Sequence, residues 1–178
     1  MTDEPPSRRT FRVPIVVAAE GWAPLSAERR RGLRRAVRGA LALEPRARGL
    51  APADVVLVLA DDEVVRELNA RHRGKDRPTN VLSFTNDDPP GPGERRHLGD
   101  IVLALETCTA EARAQAKPLD HHLAHLALHG ALHLLGHDHE EEAEASRMEA
   151  LEVRALARLG IPDPYNDDRG SLLREAAS

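Results

Sequence analysis

A single cysteine, Cys108, is the only thiol in this 178-residue chain, so no internal disulfide can form. Aromatic residues are nearly as scarce. Phe11, Trp22, Phe84 and Tyr165 are the full set, and four scattered rings make no stacking platform for single-stranded bases. Only two of the 25 basic residues are lysine, an arginine bias that a GC-rich genome explains without any appeal to phosphate binding. The longest apolar runs, Val13–Ala19 and Val55–Ala60, fall far short of the roughly 18 residues a membrane span needs. No transmembrane helix and no membrane partner are expected. The opening MTDEPPSRRT is polar and carries no signal-peptide pattern. With the lone cysteine, this leads to the expectation of a cytoplasmic protein.

What is present is an ordinary folding composition, 41% hydrophobic and 30% charged, too apolar for disorder and of a length that suits one domain. The formal charge of −4 divides unevenly: +4 over residues 1–96 and −8 over residues 97–178. Two halves of opposite sign do not make the global basic footprint of a simple nucleic-acid binder.

The pattern divides into a tail over 1–10, one domain over 11–165 and a polar tail over 166–178. Strands are expected at Arg12–Ala18, Asp54–Ala60, Thr79–Phe84 and Leu98–Leu105. Helices are expected after a Ser26 cap, after Asp61 or Asp62, over Glu106–Lys117, from an Asp120 cap to Gly136, and over Glu140–Leu159. Strands interleaved with helices, ending in three consecutive helices, give an α/β or α+β domain with one sheet covered by helices. Five arginines, Arg30, Arg31, Arg34, Arg35 and Arg38, line one face of the first helix, which is the usual look of a solvated surface.

Seven of nine histidines fall between His121 and His139, in HHLAHLALHGALHLLGHDH. The surrounding helix is apolar almost all round and belongs in the core, where unpartnered imidazoles are costly. His129 and His133 are four residues apart and reach one metal from one helix face. Gly136 can end the helix in a left-handed turn, and His139 follows it. Three imidazoles leave a fourth tetrahedral position open, the arrangement of catalytic zinc. His125, on the same helical row, is a spare candidate that reads first as a partner supporting the ligands, His137 is a rival ligand, and His121 and His122 read as surface residues at the helix start. The spacing fits the metalloprotease pattern H-E-x-x-H-x-x-G-x-x-H except that Gly130 stands where those enzymes keep their general base.

The segment HGALHLLGHDH resembles the H-G-x-L-H-L-x-G-Y-D-H signature of the bacterial YbeY family of metal-dependent endoribonucleases. Leu68–Phe84 (LNARHRGKDRPTNVLSF), Leu98-Gly99-Asp100-Ile101 and Met148–Glu152 (MEALE) are similar to further elements of that family, in the same order and spacing. His137 departs from the family's tyrosine. The resemblance implies metal ligands His129, His133 and His139, a functional arginine at Arg73, and a single-strand-preferring endoribonuclease. It implies a role in ribosomal RNA maturation at the small-subunit 3′ end and in ribosome quality control. The implied fold is α+β, a mixed sheet packed with helices, with a metzincin-like three-histidine site. The expected cofactor is one zinc ion, with nickel or another divalent metal as the substitute. Lys75 and Arg77, beside Arg73, are candidates for holding flanking phosphates. Partners are then single-stranded or ribosomal RNA and the ribosome or its small subunit; the acidic segment Glu140–Glu144 could also meet a basic protein. The competing readings are a metal-dependent hydrolase of another substrate and a non-catalytic, metal-stabilised ribosome factor.

Overall fold

The computed structural model describes residues 11–137 and 141–166. Four strands, β1 (Ile15–Val17), β2 (Ala53–Ala60), β3 (Val81–Thr85) and β4 (Arg96–Ala104), form one sheet in the order β1-β2-β4-β3. β1 and β4 run parallel to β2, whereas β3 is antiparallel to β4, so the sheet is mixed as expected. Around it lie α1 (Ala27–Leu43), α2 (Asp62–Arg73), α3 (Leu105–Ala114), α4 (Leu119–Leu134) and α5 (Glu142–Ala157).

Alternation along the strands assigns the two faces. Val55, Leu57 and Leu59 of β2 join Ile101 and Leu103 of β4 in one core with the inner residues of α1 and α4. The next residues along, Val58, Ala60, Leu82, Val102 and Ala104, face the other way and pack with Val65 and Leu68 of α2. Thus α4 and α2 cover opposite faces of the sheet. Trp22, 2% exposed, donates its indole N–H to the Ala60 carbonyl at 2.7 Å and ties the N-terminal segment to the end of β2.

Two helix starts follow the sequence signals. Ser26 accepts the Arg29 N–H at 3.1 Å and Asp61 accepts the Val64 N–H at 2.9 Å. Asp120 does not cap α4. The Pro118 carbonyl already accepts from the N–H groups of His121 and His122, so the helix begins at Leu119 and Asp120 pairs with Arg29 instead. β1 is shorter than expected because Pro14, which has no N–H, separates it from the lone bridge between Arg12 and Asp54. α3 stops at Ala114, before the expected Lys117, where Ala116 turns the chain at a φ of 50°. β3 and β4 are displaced from expectation by one or two residues, and α5 is trimmed at both ends. On α1, Arg34 and Arg38 donate to the carbonyls of Val13 and Phe11, each at 3.0 Å. Those two arginines hold the segment that leads into β1 in place.

Candidate metal centre

The helix that carries the histidines approaches the sheet closely, and Gly130 permits it. A Cβ on Gly130 would lie 2.7 Å from Ile101 Cγ2 and 2.9 Å from Ser83 Oγ. Position 130 therefore faces β3 and β4, and a glutamate there has no room. The missing peptidase base is thus explained by packing: the side chain is absent where the helix meets the strands.

On the same helix His129 and His133 sit one turn apart, with ring centroids 4.5 Å apart and planes at 76°. Their Nε2 atoms are 3.0 Å from one another. Each Nδ1 is engaged on the opposite side of its ring. His129 Nδ1 donates to Glu152 Oε1 at 2.6 Å, and His133 Nδ1 donates to the His137 carbonyl at 2.8 Å. A carboxylate and a carbonyl only accept, so the Nδ1 atoms carry protons, and the two Nε2 atoms, in contact with one another, are the ring nitrogens left to face a common point. Tetrahedral zinc with bonds of about 2.0–2.1 Å places two nitrogens roughly 3.3 Å apart, so this donor pair fits such an ion.

After Leu134 the chain turns through Gly136, at a φ of 80°, a conformation that glycine adopts without a Cβ penalty. The turn brings the His137 N–H to the Leu132 carbonyl and the His137 carbonyl to His133. The His137 ring points away, into a buried contact with Glu44 at 2.6 Å. The His137 side chain is thus turned away from the histidine pair, while its backbone carbonyl orients the His133 ring. His139 lies outside the described residues, and among the described residues no group of three metal-binding side chains forms.

His125, one turn before His129, donates to Glu152 Oε2 at 3.0 Å, and the Tyr165 hydroxyl donates to the same oxygen. Glu152 is fully buried. Burial opposes its charge, but hydrogen bonds from His125 and His129 prevail and hold the carboxyl at about 2. The same burial and the neighbouring carboxylate push the Tyr165 phenol upward, so it stays a donor. Glu152 was not among the expected site residues. Its sequence signal was a charge on the stripe Met148, Glu152, Ala155, Leu156, which is otherwise apolar and buried. His122, expected at the surface, is buried and bonds to Glu111 at 2.8 Å, and Asn80 donates to that carboxylate as well. A cavity of about 140 Å³ opens beside His129, lined also by Met148, Glu149 and Tyr165.

The basic loop forms a second group on the α2 side. Arg73, Lys75 and Arg77 line a cavity of about 150 Å³ with Asn69, Pro78 and Thr79. Asn69 shapes it by donating to the Arg77 carbonyl at 2.8 Å. Asp76 is the one acid in this loop, and Arg66 draws it away in a 3.2 Å ion pair. No hydrogen bond or ion pair joins these cations to the two histidines among the described residues. They are linked through β3: Ser83 Oγ donates to the Gly130 carbonyl at 3.3 Å, and Phe84 meets the His72 ring at 4.9 Å on the other face. A further cavity of about 480 Å³, between α1 and the start of α4, holds neither group.

Fold and site together define an α+β protein with one mixed sheet and a histidine pair one turn apart on a core helix. The family model described as Endoribonuclease YbeY matches residues 26–160, and the chain belongs to that family. A relative from Bradyrhizobium sp., named Endoribonuclease YbeY, is 54% identical over 119 residues, spanning 65% of this chain and 70% of the relative. Another of that name, from Rhodopseudomonas palustris, is 47% identical over 153 residues, 85% of this chain and 79% of the relative. The solution structure of a Thermotoga maritima protein shares the fold, with a TM-score of 0.52 at 21% identity, over 83% of this chain and 91% of that one. Among the described residues no helix is long and apolar enough to cross a membrane.

Proposed function

We propose that this chain is a zinc-dependent endoribonuclease that prefers single-stranded RNA and acts in the cytoplasm. Its substrate is the 3′ end of small-subunit ribosomal RNA, and its setting is ribosome maturation and quality control. The observation that carries the reading is the pair of Nε2 atoms on His129 and His133, 3.0 Å apart with both Nδ1 atoms anchored. His139 is the proposed third ligand. A divalent metal held there supplies Lewis acidity toward a phosphoryl oxygen. Nickel or another divalent ion could substitute, since imidazole suits several metals.

The chain's own contribution is positioning and charge. Arg73 presents a guanidinium fork able to grip a phosphate through two parallel hydrogen bonds and to stabilise charge growing on it. Lys75 and Arg77 hold flanking phosphates around the same cavity, with Asp76 diverted to Arg66 so that it does not neutralise them. The scarcity of aromatic residues leaves phosphate contact as the main source of affinity.

The test is cleavage of a structured ribosomal RNA by wild type, Arg73→Ala and His133→Ala, each with its bound metal quantified. Wild type is expected to carry about one metal and to cut. Arg73→Ala should keep the metal and lose cleavage, and His133→Ala should lose both. Equal cleavage by all three would mark the activity as a contaminant and overturn the reading.

A further inference from the structure

We propose that Glu152, held by Tyr165 and His125, is a positioning residue that sets the tautomer and aim of His129 toward the metal. The inference rests on the reading of His129 as a ligand. Glu152 reaches across from α5 to α4 and uses both carboxylate oxygens there. Oε1 takes the His129 Nδ1–H at 2.6 Å, while Oε2 takes His125 Nε2–H at 3.0 Å and the Tyr165 hydroxyl. Two rings and a phenol thus converge on one buried carboxylate.

That convergence has two consequences for His129. With Nδ1–H committed to an acceptor, the ring nitrogen left to serve a metal is Nε2, the atom facing His133. The negative charge behind the ring also raises its basicity toward a cation in front. His125 and Tyr165 fix the second oxygen, so the carboxylate cannot rotate away. Their rings meet edge to face, with centroids 5.7 Å apart at 88°. Tyr165 lies beyond the end of α5, so the segment after that helix folds back to complete the site.

Glutamine at position 152 tests this because it keeps the shape and removes the charge. Its amide offers one acceptor oxygen to three donors, so at least one partner loses its bond. Two readouts are measured on Glu152→Gln and on Tyr165→Phe: zinc affinity by competition with a chelator, and the tautomer of His129 in the zinc-free protein by nitrogen-15 NMR. Wild-type His129 is expected in the Nδ1–H form. Glu152→Gln should weaken zinc binding by about 10–100-fold and populate the Nε2–H form. Tyr165→Phe, which removes one neutral donor, should weaken it by about fivefold.

A purely structural role would lower the melting temperature of the zinc-free protein and leave both readouts unchanged in the folded fraction. That result overturns the proposal. If Glu152→Gln fails to fold, Tyr165→Phe decides alone: wild-type zinc affinity and tautomer in that variant overturn it. A wild type that binds no zinc would sink the metal reading, while the NMR measurement would still decide whether Glu152 sets the His129 tautomer.

Discussion

The Ser83 hydroxyl donates to the Gly130 carbonyl at 3.3 Å, joining β3 to the middle of the histidine helix. The approach is possible only because residue 130 has no side chain. Gly130→Ala would place a methyl 2.7 Å from Ile101 Cγ2, and overpacking of this kind destabilises by about 1–3 kcal/mol. Urea denaturation should show the midpoint falling without a change in slope. The proposed ligands His129 and His133 flank the displaced backbone, so zinc affinity should fall with it.

Arg73→Ala, Lys75→Ala and Arg77→Ala should each weaken RNA binding and make it less sensitive to salt. Removing one cation from a phosphate lowers the log–log salt slope by about 0.7 for a single strand. Binding titrations at several salt concentrations check this. An unchanged slope in all three variants would remove the basic cavity from the substrate path.

Cys108 is fully buried at the start of α3, with its thiol directed to the Asn80 carbonyl at 3.4 Å. Burial, helped by Glu111 and Asp62, pushes this thiol up to about 12. It should therefore ignore thiol reagents in the native protein at about pH 8, near the ordinary thiol pKa, and react once urea opens the fold. Rapid native labelling would contradict the packing described for α3.

Glu44 is buried at the end of α1, where its carboxylate accepts from the Arg46 backbone N–H and from His137. Burial alone would raise its pKa, yet these bonds, with the charges of His137 and Arg46, bring it below the usual 4.5. A depressed carboxylate contributes stability that is present above its unfolded value and is lost as pH falls through the folded one. Arg46, Glu144 and the His137 ring are the charged or titratable groups facing it or its partner. Glu44→Gln should thus be destabilised at about pH 7, with the gap to wild type closing below about pH 4.5 as Glu44 protonates. Denaturation midpoints measured from about pH 3 to about pH 7 provide the check.

Features within one helix turn or one loop could be read from the chain; those made by distant partners could not. His129 and His133 follow from a four-residue spacing on an apolar helix, and Gly136 from the need to reverse direction after it. Arg73, Lys75 and Arg77 follow from their crowding in one segment. The burial of His122 depends on Glu111 in another helix, and the diversion of Asp76 depends on Arg66 in the middle of α2. The arginine rows of α1 were visible as rows, but Arg34 and Arg38 gain their use from carbonyls at Val13 and Phe11. Glu152 is the clearest case. A charge on an apolar stripe is a weak signal by itself, and only the fold shows that Glu152 meets His129, 23 positions away in sequence.

Trp22 is the only tryptophan, and its indole is sealed against Ala60 at the end of β2. The protein therefore contains its own single-site optical reporter. Its emission should be blue-shifted in the folded chain and move to the red when the N-terminal segment peels from the sheet. Trp22 shares one core with Leu123, Leu128 and Leu132 of the histidine helix. A fluorescence change on adding zinc would therefore mean that the metal tightens this shared core. A silent signal would confine its effect to the histidine end of α4 and to α5.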